Sequence, residues 1–157
     1  MTLLEVHVAL SLIGIVSGLI VFYGLLTGRA FAALTALFLA TTILTSITGF
    51  PLAPFGFDPP RAVGVLSLIL LAIAVAALYL FKLAGVWRWI YVTTAMAALY
   101  LNVFVGIIQS FLKIPSLHVL APTQSEPPFL VVQLTVLVIF VVLGVWAAIR
   151  FHPTRLA

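Results

Sequence analysis

Five uninterrupted apolar runs, each flanked by charge, proline or glycine, organise the chain: about 6–27, 31–50, 62–81, 89–112 and 129–149. A helix rising 1.5 Å per residue needs roughly 20 apolar residues to cross a hydrocarbon core of about 30 Å. Each run meets that length, so the pattern predicts an all-α integral membrane bundle of five transmembrane helices in one domain spanning 1–157. What lies between the runs is too short for a separate soluble domain. The first run lacks the basic segment of a signal peptide, carries Glu5 instead and is followed at once by Arg29 and another long run, so it reads as a helix. Lys82 to Arg88 reads as a tight basic turn between the third and fourth spans.

Composition agrees. The 157 residues are 65% hydrophobic and 6% charged, with a mean hydropathy of +1.38. Soluble domains carry about 25% charged residues, and so apolar a chain cannot stay solvated as a disordered one. The absence of cysteine excludes disulfides, thiolate metal sites and iron–sulfur clusters. The net charge of +4 comes from scattered single Lys and Arg residues rather than a basic patch, which argues against nucleic acid.

The charges instead predict an orientation. With five spans, Arg29, Lys82, Arg88, Arg150 and Arg155 fall on one side with no acidic residue. Arg61 and Lys113 share the other side with Glu5, Asp58 and Glu126. The positive-inside rule then places the N-terminus outside and the C-terminus in the cytoplasm. Eight of the nine prolines lie in the two outer loops, 51–60 and 115–128.

Polar residues inside a span face other helices or a cavity, because lipid offers no hydrogen bonds. In span four, Asn102, Gly106, Gln109 and Lys113 follow one stripe at i, i+4, i+7 and i+11. His7, Ser11, Gly14 and Gly18 repeat the spacing in span one. Thr41, Thr45 and Thr48 repeat it in span two, beside a second stripe of Thr42, Ser46 and Gly49. Gln133 lies one turn inside span five, whereas span three offers only Gly64 and Ser67 and is expected to be peripheral. Gln109 lies about 6 Å and Asn102 about 16 Å inward of Lys113. The polar positions thus run from the outer surface to the midplane, predicting a pocket open to the outside among spans one, two, four and five. Small polar residues are also ordinary helix–helix glue, and Gly14 with Gly18 forms a GxxxG pair that serves close packing.

In the 4–5 loop, Ser116 to Ala121 is apolar enough to lie in the interface or to fold back over the bundle. Ser125 or Glu126 is the expected cap of the next helix, with Pro127 and Pro128 in its first turn. Gln124 and Glu126 are candidate caps of the pocket. In the 2–3 loop, Asp58 and Arg61 are spaced to pair.

The strings Thr45–Pro51 (TSITGFP), Trp87–Tyr91 (WRWIY), Leu101–Val105 (LNVFV) and Ala121–Phe129 (APTQSEPPF) resemble those of small uncharacterised bacterial polytopic membrane proteins, a similarity covering most of the chain. The resemblance implies a bacterial inner membrane and carries no activity with it.

Three functions follow. The first is a non-enzymatic binding or accessory protein, taking a small apolar, lipid or quinone-like ligand, or acting as a homo-oligomer or a subunit of a larger membrane complex. Its candidate ligand-binding residues are His7, Ser11, Thr45, Thr48, Asn102, Gln109, Lys113, Gln124, Glu126 and Gln133. The second is a redox protein with haem or quinone, for which His7 and His118 are the histidines able to meet. The third is an intramembrane enzyme using Glu5 or Glu126 with His7 or His118, although no catalytic triad, paired carboxylate or i, i+4 metal-ligand pair is evident.

Overall fold

The computed structural model describes residues 2–52 and 59–152. Asp58 and Arg155 therefore lie outside the described residues. Six helices follow in order: α1 Leu3–Thr27, α2 Ala32–Gly49, α3 Pro59–Val75, α4 Trp87–Lys113, the short α5 Pro115–His118 and α6 Pro127–Arg150. A π-helical turn, Ala76–Leu80, extends α3. Five of these segments are long and apolar enough to cross a membrane, as the sequence predicts for an integral membrane protein.

The helix ends overrun the apolar runs by one to three residues in most cases, because hydrogen bonding continues until a cap stops it. Thr2 and Glu5 form a capping box at the start of α1, satisfying backbone donors that would otherwise have no partner. At the other end of α1, Gly28 takes the left-handed conformation at φ 71°, and the amides of Gly28 and Arg29 return to the carbonyls of Leu25 and Gly24. This Schellman arrangement is cheap only for glycine. The π turn sends the amide of Phe81 to Ala76 and that of Leu83 to Ala77. Phe81 then stacks on Trp87 at 3.7 Å, closing the short basic turn into α4.

The central helix is α4, which packs on α1, α2, α3 and α6. Its register explains this: Tyr91, Val92, Ala95, Met96, Ala98, Leu99 and Asn102 are all buried and wrap much of its circumference. Helix α3 packs on α2 and α4, and Leu71, Ala74 and Ala77 are fully buried there. It is thus more embedded than its lack of polar residues suggests. The most peripheral span is α6, where Phe129, Gln133, Ala147 and Ala148 alone are buried. Phe140 holds it in place by stacking on Phe22 of α1 at 5.5 Å and meeting Tyr100 of α4 at 5.6 Å.

The main apolar core occupies the half of the bundle nearer the basic end, around Phe22, Phe38, Leu71, Tyr91 and Leu99. A smaller cluster of Phe111, Ala121 and Phe129 closes the proline-rich end, with the 4–5 connection folded back over it as anticipated. Outward-facing side chains are apolar over most of the bundle, Leu12, Val16, Leu19, Val138, Val141 and Val145 among them.

Candidate ligand-binding site

Most hydroxyls of α2 are spent on their own helix. Thr41, Thr45, Ser46 and Thr48 each donate to a carbonyl one turn back. Because the one proton of Thr48 already goes to Leu44, its 3.0 Å contact with His7 Nδ1 is donated by the imidazole, leaving Nε2 as an acceptor. His7 also lies over Gly49, where an added Cβ would meet the ring at 3.3 Å. One turn deeper, Ser11 Oγ donates to Asn102 Oδ1 at 2.9 Å, joining α1 to α4. Gly14 follows, facing Thr41, Thr42 and Asn102. The three aligned stripes of α1, α2 and α4 therefore do meet, as a closely packed polar seam running inward from the proline-rich end.

Gln109 does not join that seam. It lines a shallow apolar groove, about 300 Å³ including the open space at its mouth, between α3 and α4, with Pro59, Pro60, Val63, Phe104, Val105 and Ile108. Seven residues advance a helix 20° short of two full turns. Gln109 is thus offset by only about 20° from Asn102 around α4, but two turns further along it lies beside the start of α3 rather than against α1. Its amide has no hydrogen-bonding partner among the described residues, unlike that of Asn102. Lys113 is exposed one turn beyond it.

Gln133 Nε2 donates across to the carbonyl of Phe104 at 3.2 Å, anchoring α6 on α4 rather than entering the seam. Gln124 adopts φ 58° and shapes the 4–5 turn. Glu126 is the N-cap residue of α6, with prolines at the first positions of the helix. Since Pro127 and Pro128 have no N–H to donate, the carboxylate turns back and accepts from Thr123 N, Thr123 Oγ1 and Ser125 N. Desolvation acts to raise the Glu126 pKa, but the hydrogen bonds from the Thr123 hydroxyl and from the surrounding backbone amides outweigh it and hold the carboxyl below its ordinary range.

His7 is engaged with α2, while His118 is exposed on α5 and makes no hydrogen bond to it. Glu5 is held in the α1 capping box. No group of three or more His, Cys, Asp or Glu side chains gathers among the described residues. Arg61 donates to the carbonyls of Phe50 and Leu52, closing the end of α2.

A larger cleft, of about 510 Å³ including its mouth, opens at the basic end rather than at the proline-rich one. Val21, Leu25, Phe31, Leu78 and Phe151 form its walls, with Arg29, Thr35 and Tyr91 as polar members. Sequence reasoning missed it because its walls come from four separate helix ends and the inter-helix turns, with no polar stripe to mark them. The expected open pocket among spans one, two, four and five is instead filled by the polar seam. Comparison with protein-family models, curated proteins and solved structures finds no match to this chain.

Proposed function

We propose that the chain is a non-enzymatic protein of a bacterial inner membrane that binds a small amphiphile, of lipid or quinone type, at its periplasmic side. In this reading the N-terminus is periplasmic and the C-terminus cytoplasmic. The segregation of Arg29, Lys82, Arg88 and Arg150 from Glu5 and Glu126 supports that orientation. The observation that carries the binding proposal is Gln109: an amide with no hydrogen-bonding partner among the described residues, on the wall of an otherwise apolar groove. A polar side chain at membrane depth is costly unless something bonds to it. A carbonyl or hydroxyl of a ligand head group would supply that bond, with the chain along Val63, Phe104 and Ile108. Lys113, snorkelling one turn above, suits an anionic or carbonyl-bearing head.

The test is native mass spectrometry of the protein released from micelles, with phosphatidylglycerol and decyl-ubiquinone as separate probes. Gln109→Leu removes both donor and acceptor at nearly constant volume and should lose the bound probe. Thr94→Val, in a threonine bonded only to its own helix, should keep it. Equal retention by the two variants contradicts the proposal.

A further inference from the structure

Around Gly14 of α1, helices α2 and α4 direct polar side-chain atoms at one place. A Cβ built on Gly14 would lie 3.0 Å from Thr42 Oγ1, 3.1 Å from Asn102 Nδ2 and 3.2 Å from Thr41 Oγ1. Thr42 is 2% exposed and Asn102 8% exposed, and neither Thr42 Oγ1 nor Asn102 Nδ2 has a hydrogen-bonding partner among the described residues. Thr42 stands out because Thr41, Thr45, Ser46 and Thr48 around it all bond to their own helix. Leaving two such groups unsatisfied in an apolar interior costs on the order of 1–3 kcal/mol each.

We infer that Gly14, Thr41, Thr42 and Asn102 form a binding site for a single water molecule, about midway across the bundle. Such a water accepts from Asn102 Nδ2, donates to Thr41 Oγ1, whose own proton is committed to the Leu37 carbonyl, and bonds to Thr42 Oγ1 in either sense. Three bonds is the usual complement of a buried water. Turning the Asn102 amide over, so that it donates to Ser11 and presents Oδ1 to Thr42, leaves the assignment intact, because water both donates and accepts. A cation fits less well: the site has no carboxylate, and an uncompensated charge at membrane depth is expensive. The water bridges α2 and α4 beside Gly14 of α1, the one residue there with no side chain. It also continues the polar seam that begins at His7 and Ser11.

Asn102 is the only asparagine in the chain, so selective ¹⁵N-asparagine labelling gives a single side-chain amide signal. The experiment is solid-state NMR magnetisation transfer from water to that amide, on the full chain in phosphatidylcholine bilayers. Transfer should be present in the wild type and lost in Gly14→Ala, whose methyl would lie 3.0–3.2 Å from the same three polar atoms and crowd the water out. Thr42→Val, which keeps shape but removes one bonding partner, should weaken transfer and decides the matter if Gly14→Ala does not fold. Undiminished transfer in Thr42→Val, or a wild-type amide signal that receives none, overturns the assignment. So does a signal that shifts when sodium replaces choline in the buffer, which would indicate a cation.

Discussion

Gly18 of α1 faces both α2 and α4, and a Cβ there would sit 2.5 Å from Leu99 Cδ1 and 2.8 Å from Phe38 Cδ2. Both neighbours are fully buried, so neither can move without disturbing the main core. Gly18→Ala should therefore destabilise by about 1–3 kcal/mol, the usual cost of overpacking. Gly144, on α6, has nothing within 4 Å of a built Cβ, and Gly144→Ala should show no loss. Thermal unfolding of the two variants in the same micelles checks the contrast. Glu126 offers a second test at this scale. Its pKa is lowered in the fold, so whatever its hydrogen bonds contribute is present above the unfolded value and lost as pH falls through the folded one. The amide shifts of Thr123 and Ser125 should titrate with a midpoint below 4.5, and Glu126→Gln should abolish that titration. A midpoint at or above 4.5 would mean that the carboxylate is not held by these donors.

At the scale of elements, the basic turn and the end of α6 are joined by one side chain. Arg88 donates to the carbonyls of Ala148 and Phe151, which lie in the last turn of α6 and just beyond it, and its guanidinium lies 4.8 Å from the Trp89 ring. Arg88→Met keeps the aliphatic stem and removes the donors. It should cost about 1–2 kcal/mol, discounted from the range for charged hydrogen bonds because the side chain is partly exposed. Hydrogen exchange in the last turn of α6 should rise, and unchanged exchange would show that the helix end holds itself. The five long helices were legible because an apolar run of about 20 residues has few other fates. Their extra residues were not, since Glu5, Trp87 and Lys113 are polar or interfacial residues that end a hydropathy run without ending a helix. The stripes of His7, Ser11, Thr48 and Asn102 were legible as faces, and they do meet. Helical spacing specifies a face but not the rotation or tilt that puts Gln109 in a different groove from Asn102. Nor does it specify the rotamer that turns Thr42 away from its own helix.

Across the whole molecule, polar and apolar atoms are distributed as a bilayer requires. Most hydroxyls and several amides of the described spans bond to one another or to helix carbonyls, while Leu, Val and Ile residues cover the outside. The charged side chains gather at the two ends, with Arg29, Lys82, Arg88 and Arg150 at one and Glu5, Arg61, Lys113 and Glu126 at the other. In the proposed orientation the termini lie on opposite sides and the basic end faces the cytoplasm. Because the native chain has no cysteine, Thr2→Cys and Ala157→Cys can each be labelled alone with a membrane-impermeant maleimide, using sealed spheroplasts and inverted vesicles. The account predicts labelling at position 2 from the periplasmic side and at position 157 from the cytoplasmic side; labelling of both from the same side contradicts five spans.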